Sequence, residues 1–212
     1  MLLPDRLSAR FRERRMRRFL EICKPTPDTL VLDVGGNPRI WNLIPEAQRP
    51  RVIYLNLPRA FEPGDDPLHT VFADGLHLPF ADQSFDLVFS NSVIEHVGSE
   101  ANQRRFAEEV QRVGRRYWVQ TPNRGFPVEQ HLLTPFLHWL PMPLRRAVAQ
   151  RFTVWQLIAK PTPESRRFYV EHFLDDIRLL DRSQVQALFP GAQVLRESLL
   201  GLLTKSWIAY RD

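Results

Sequence analysis

Cysteine is nearly missing from this 212-residue chain: Cys23 stands alone. A single thiol excludes an internal disulfide framework and any zinc site built from several cysteines. Glycine is scarce as well, at nine residues, and none falls in the G-x-G-x-x-G spacing of a dinucleotide pyrophosphate loop. No uncharged apolar run is long enough to span a bilayer. The longest, residues 130–144, is broken by Pro135, Pro141 and Pro143. Charge follows directly after Met1-Leu2-Leu3, so there is no apolar core of a secretory signal, and Asp5, Glu13 and Glu21 disfavour an organelle transit peptide. A cytoplasmic protein of a reducing compartment is the expectation.

A basic surface over the whole body is absent too. The net charge is +5, and residues 1–24, with eight basic and three acidic side chains, account for all of it. Residues 25–212 are balanced. The pI near 9.9 therefore describes one N-terminal segment. What is present is globular: 43% apolar and 25% charged residues in 24.9 kDa, enough for one domain with a core of its own.

Residues 6–23 read as a basic helix. Met16, Phe19, Leu20 and Cys23 recur at helical spacing, as do Leu7 and Phe11. Asp5 is the expected N-cap, and Lys24-Pro25-Thr26-Pro27 the stop. Five short apolar runs follow, each ended by polar or turn residues: 29–34, 51–56, 70–73, 85–89 and 116–120. A helix over about 101–113 separates the last two. Buried strands alternating with helices or loops predict a mainly parallel α/β sheet. Asp181 and Gln184 form a capping-box pattern that opens a helix through Phe189. Residues 192–196 and 205–210 are too close in sequence for a crossover and predict an antiparallel hairpin at one sheet end. Residues 131–180 break the alternation and read as a helical insertion over the strand ends. Their apolar stretch, Leu132 to Leu140 with Met142 and Leu144, either buries itself on the sheet or lines an acceptor pocket.

Ligands of open α/β sheets bind beyond the carboxyl ends of the strands. The residues standing there are Asp33-Val-Gly-Gly36, Asn56, Asp74-Gly75, Ser90-Asn91 and Thr121-Pro122-Asn123. Gly35-Gly36 permits close approach of a ligand to the backbone. The third glycine of a phosphate loop is missing and Pro38 removes an N–H, which suits a sugar and amino-acid ligand better than a diphosphate.

On Val31-Leu-Asp-Val-Gly-Gly36, Ala73-Asp-Gly-Leu-His-Leu-Pro-Phe80, Asp82-Gln-Ser-Phe-Asp-Leu-Val-Phe89 and Ser90-Asn-Ser-Val-Ile-Glu-His96, the chain resembles the class I S-adenosylmethionine-dependent methyltransferases of type 11. The resemblance covers about residues 25–125. It implies a Rossmann-like, mostly parallel seven-stranded sheet with helices on both faces, S-adenosylmethionine as cofactor, and a methyl acceptor offering O, N or C on a small or lipid-linked molecule. It divides the chain into a basic N-terminal helix (1–24), a candidate lid, and a methyltransferase domain (25–212). It also implies site roles. Asp33 accepts the N–H groups of the glycine turn and helps place the cationic methionine end, beside Gly35 and Gly36. Asp74, Gly75 and Leu76 hold adenine. Ser90 and Asn91 close the amino-acid side with backbone carbonyls. Asn56 stands where relatives carry the acidic residue that binds the ribose hydroxyls, so weaker binding is expected, with Asn56→Asp tightening it. Asp65 and Asp66 in the next loop read as solvated turn residues, with substitution in that role as the alternative.

Methyl transfer needs alignment more than acid–base groups, and a base only where the acceptor loses a proton. The candidates are His131, His96 and Glu129, the last as the partner that orients His131. His69, His77, His138 and His172 read as ordinary loop or helix histidines. No metal is expected, since no His, Asp and Glu set has helical or hairpin ligand spacing. Two other functions stay open: a catalytically silent binding module, and an RNA methyltransferase that uses the arginines of the first helix.

Overall fold

The computed structural model describes residues 3–58 and 68–212, with side chains from residue 9 onward. Asp65 and Asp66 lie outside the described residues, as do the side chains of Asp5 and Leu7. Helix α1 runs from Leu3 to Cys23. It begins before Asp5, so the expected cap position falls inside the helix.

The strands are β1 (Leu30–Val34), β2 (Arg51–Asn56), β3 (Thr70–Phe72), β4 (Phe85–Asn91), β5 (Gly114–Pro122), β8 (Gln193–Leu199) and β9 (Leu203–Arg211). They form one seven-stranded sheet in the order β3-β2-β1-β4-β5-β9-β8. The first five are parallel, and β9 runs antiparallel to both β5 and β8. The parallel sheet and terminal hairpin are those expected from the pattern, with β4 and β5 each extending two residues further toward the site. A two-stranded ladder, β6 (Val128–Glu129) with β7 (Thr134–Pro135), lies apart from the sheet.

Alternation along the strands sends side chains to both faces, and both faces are covered. On one face Val31, Leu87, Phe89, Trp118 and Ile208 meet Met16, Phe19 and Cys23 of α1 and Trp41 of α2 (Pro38–Trp41). Phe19 packs edge-on against Trp41, Phe89 and Trp118. On the other face Leu32, Val34, Val88, Tyr117 and Val119 meet Phe106, Val110 and Val113 of α3 (Glu100–Val113). The insertion holds α4 (Met142–Arg151), α5 (Val154–Ala159) and α6 (Pro163–Asp175). It neither buries its apolar stretch wholly on the sheet nor leaves it open. Leu132 and Leu137 join Val170, Phe173 and Leu174 in a separate cluster, while Phe136, Trp139, Met142 and Leu144 are exposed. Helix α7 (Arg182–Leu188) follows, opened by the reciprocal Asp181–Gln184 capping box that the sequence predicts. Among the described residues no helix is long and apolar enough to cross a membrane.

Candidate functional site

The carboxyl ends of β1, β2, β3 and β4 lie along one edge of the sheet and carry the expected residues. Gly35 takes φ +75° and donates its N–H to Leu55 O at 2.7 Å, which carries the β1–β2 pairing one residue into the turn. A side chain at Gly36 would put its Cβ 1.8 Å from Asp33 Oδ2, and one at Gly35 would meet Val93 at 2.5 Å. Both glycines are therefore dictated by the close approach of the turn to Asp33 and to the loop after β4. Asp33 is fully buried. Its Oδ2 accepts the Trp41 indole N–H at 2.7 Å, and its Oδ1 has no partner. The glycine-turn N–H groups expected to bond Asp33 do not; Trp41 takes that place. Burial pushes the carboxyl up to about 7, against the lowering effect of the indole hydrogen bond. A cavity of about 460 Å³ opens here, lined by Asp33, Gly35, Gly36, Phe89, Asn91 and Arg12.

Asn56 donates its amide to Gly36 O at 2.8 Å and so ties the end of β2 to the same turn. Ser90 is buried and donates its hydroxyl to Val34 O. Asn91 Oδ1 accepts from the Arg15 guanidinium. Arg15 is itself buried and makes a forked pair with Glu197 of β8, at 2.8 and 2.7 Å. Asp74 is exposed and its Oδ1 accepts the Leu76 N–H at 2.9 Å. A Cβ at Gly75 would lie 3.1 Å from Phe106. Asp74 and Leu76 line a second cavity, of about 720 Å³, with His96, Phe168 and His172. The structure thus brings Asp33, Gly35, Gly36 and Asn91 to one cavity and Asp74 and Leu76 to another, with Asn56 between them at the end of β2.

The candidate bases form a chain of side chains. Glu129 on β6 is fully buried, and its Oε1 lies 2.6 Å from His131 Nδ1. It also accepts the N–H groups of His131 and Leu132. Burial raises the Glu129 carboxyl, but these bonds outweigh it and hold the group below the usual carboxylate range. For His131, burial opposes the charge and Glu129 favours it, with a net rise. His131 Nε2 lies 3.3 Å from His96 Nε2, and His96 Nδ1 lies 3.0 Å from His172 Nε2. His172 Nδ1 in turn lies 2.7 Å from Asp176 Oδ2. His96 is held down at about 4, first by burial and then by its two histidine neighbours, so this imidazole is neutral. Glu95 is fully buried; its Oε2 accepts the Thr121 hydroxyl at 2.9 Å, and its Oε1 has no partner and lies 3.9 Å from His96 Nε2. Burial raises its pKa, with His131 the leading opposing influence.

Sequence reasoning therefore finds His131, His96 and Glu129 but misses Glu95, His172 and Asp176, which complete the set. It also misses Trp41 as the partner of Asp33 and Arg15 as a buried side chain. The signal for Arg15 is present: Phe11, Arg15 and Phe19 stand four apart on one stripe of α1.

A family model described as a methyltransferase domain matches residues 53–116. No curated protein sequence matches the chain. Among solved structures, a SAM-dependent methyltransferase from Methanosarcina mazei superposes with a TM-score of 0.51 at 14% identity, covering 87% of this chain and 92% of its own. The magnesium protoporphyrin IX methyltransferase of Synechocystis PCC 6803, solved with bound SAH, gives 0.50 at 14% identity, with 94% and 82% covered. A candidate O-methyltransferase from Nostoc punctiforme PCC 73102 gives 0.53 at 11% identity, and this chain spans 94% of itself but only 55% of that longer protein. At these identities the likeness is one of fold.

Proposed function

We propose that this chain is a class I S-adenosylmethionine-dependent methyltransferase of type 11 that takes S-adenosylmethionine as its cofactor, with the division of labour and acceptor class that follow; the methyltransferase-domain match over residues 53–116 supports the reading. The residues present suit that cofactor: a buried carboxylate with one oxygen free of partners, beside a turn whose two glycines admit no side chain. When bound, S-adenosylmethionine supplies an electrophilic methyl group on a sulfonium, which departs as a neutral thioether. Asp33 receives the cationic amino-acid end at Oδ1, with Gly35, Gly36, Ser90 and Asn91 around it. Asp74, Gly75 and Leu76 take the adenine, and Asn56 stands at the ribose between them. The ends of β1 and β3 are two strands apart, about 10 Å at sheet spacing, so one binding edge includes both cavities.

The acceptor is a small or lipid-linked molecule, methylated on oxygen or nitrogen. A hydroxyl or ammonium acceptor must lose a proton, and the cluster beside the second cavity suits that need. His131, oriented by Glu129, accepts the proton, and neutral His96 is its next neighbour. A carbon acceptor makes less use of this chain. The first helix stands as a wall of the cofactor cavity through Ala9, Arg12 and Glu13.

The observation that carries this reading is the unpartnered, fully buried Asp33 Oδ1 at the glycine turn. Its test is calorimetric titration of S-adenosylhomocysteine into wild type and Asp33→Asn, with transfer of labelled methyl to a panel of hydroxyl- and amine-bearing small molecules and lipids. We expect methylated product, and at least about tenfold weaker binding in the variant. Unchanged affinity removes Asp33 from the site. Binding without product across the panel favours the silent binding module.

A further inference from the structure

His96 and His131 are 35 residues apart in sequence, yet their Nε2 atoms face each other at 3.3 Å. Two nitrogens bound to one tetrahedral zinc-class ion, each at about 2.0–2.1 Å, stand about 3.3 Å apart. Glu95 Oε1, fully buried and without a partner, is 3.9 Å from His96 Nε2, and the three donor atoms all lie within 4.8 Å of one another.

Counting N–H groups sharpens the point. The three histidines make four contacts: Glu129 with His131, His131 with His96, His96 with His172, and His172 with Asp176. With both carboxylates ionised, each contact needs one hydrogen. Three neutral imidazoles carry only three. If each imidazole carries its hydrogen on Nδ1, the contacts to Glu129, His172 Nε2 and Asp176 are all satisfied. The fourth contact is left as two lone pairs, on His96 Nε2 and His131 Nε2, aimed at each other beside a buried, unpartnered carboxylate oxygen. Either a proton on His131 Nε2, which the hydrogen bond from Nδ1 to Glu129 favours, or a cation resolves that arrangement, and the unpartnered Glu95 Oε1 beside the two nitrogens is the third donor a cation needs. The surroundings also match those of metal ligands, whose second ring nitrogen is normally fixed by a carboxylate or other acceptor. His131 has Glu129, His96 has His172 backed by Asp176, and Glu95 has the Thr121 hydroxyl.

We propose that Glu95 Oε1, His96 Nε2 and His131 Nε2 bind one divalent cation of the zinc class, with an open position toward the cavity lined by His96, Asp74 and Leu76. Two imidazoles and one carboxylate suit zinc, cobalt or ferrous iron rather than the all-oxygen preference of magnesium or calcium. Three protein ligands leave room for a fourth, exchangeable one. The catalytic consequence rests on the methyltransferase reading: with the cation bound, His131 would be a ligand and no longer the base, and the cation would take over that task by polarising a bound acceptor hydroxyl, whose proton would pass to solvent. The binding itself does not depend on that reading.

The test is Co²⁺ titration of the full chain, read by visible ligand-field absorption, with far-UV circular dichroism on every sample. We expect one equivalent to bind, to be displaced by Zn²⁺ and to resist a large excess of Mg²⁺. His96→Gln and His131→Gln abolish the band, and Glu95→Gln weakens binding at least about tenfold. His172→Gln, on the part-exposed face of α6 and outside the ligand set, weakens it about 10–100-fold. If His96→Gln or His131→Gln does not fold, His172→Gln carries the test. A folded wild type that shows no band overturns the proposal. So does a titration undiminished in the folded variants. S-adenosylhomocysteine affinity, measured on the same samples, separates the two readings. Cofactor binding without Co²⁺ uptake sinks only the cation, and Co²⁺ uptake without cofactor binding sinks only the methyltransferase assignment.

Discussion

At the residue scale, the role proposed for Asp33 would couple folding to cofactor binding through one proton. Its carboxyl is raised to about 7 in the folded chain from an ordinary value of 3.8. Between those values the folded state holds a proton that the unfolded state has lost, so this group's contribution to stability is greatest below about pH 4 and falls as pH rises toward 7. Wild type should lose up to about 4 kcal/mol of urea stability over that window relative to Asp33→Asn, which has no such proton. The α-ammonium group of S-adenosylhomocysteine favours the carboxylate, so its affinity should rise with pH through about 7 in wild type and stay flat in Asp33→Asn. A pH-independent wild type in both assays would mean that the carboxyl is not held in this state. Asn56 shows how structure revises a substitution argued from sequence. Asn56→Asp is expected there to tighten ribose binding, but the amide donates to Gly36 O. The carboxylate would lose that bond and face a carbonyl oxygen, costing about 1–3 kcal/mol, visible as lower urea stability and weaker cofactor binding. Sequence locates both residues because strand ends are where ligands meet a parallel sheet. It does not supply their partners, since Trp41 and Gly36 reach them only through the turn.

At the element scale, α1 is fixed to the body by an apolar stripe and one buried ion pair. Phe19 is fully buried among Trp41, Phe89 and Trp118, so Phe19→Ala should cost about 3–5 kcal/mol in urea denaturation. Arg15 and Glu197 are both nearly buried, at 4% and 7% exposure. Arg15→Met leaves Glu197 without its partner and Asn91 without its donor, and should cost about 3–5 kcal/mol; adding Glu197→Gln should recover much of that. Equal stability of the single and double variants would show that the pair does not hold the helix. The bounds of β2, the Asp181 capping box and the terminal hairpin were legible because alternation, caps and short connections are local. Arg15 was hidden among six arginines between residues 10 and 18, where charge count speaks louder than position. Any test of RNA binding should respect the same packing. Neutralising the exposed Arg10, Arg12, Arg14 and Arg17 to Gln keeps the helix, whereas deleting it removes part of the core. RNA retention that is steep in salt and lost in that variant would favour a nucleic-acid acceptor.

At the scale of the whole molecule, the question is whether two cavities act as one site. The cluster beside the second cavity was invisible to spacing, because Glu95, His131 and His172 come from a turn after β4, the loop after β6 and the insertion helix α6, and only the packed insertion brings them together. The candidate cofactor residues were legible one strand at a time, yet Asp33 and Asp74 line different cavities, and sequence does not show how those connect. Adenosine and S-adenosylhomocysteine distinguish the two arrangements, since the first lacks the amino-acid end that Asp33 would hold. If one ligand engages both ends of the edge, Asp74→Asn should weaken both probes by a similar factor, about tenfold, while Asp33→Asn weakens S-adenosylhomocysteine alone. The two side chains share no partner, so their effects on S-adenosylhomocysteine should add in the double variant. If Asp74→Asn leaves both affinities unchanged, the adenine end does not reach β3, and the second cavity belongs wholly to the acceptor and the histidine cluster.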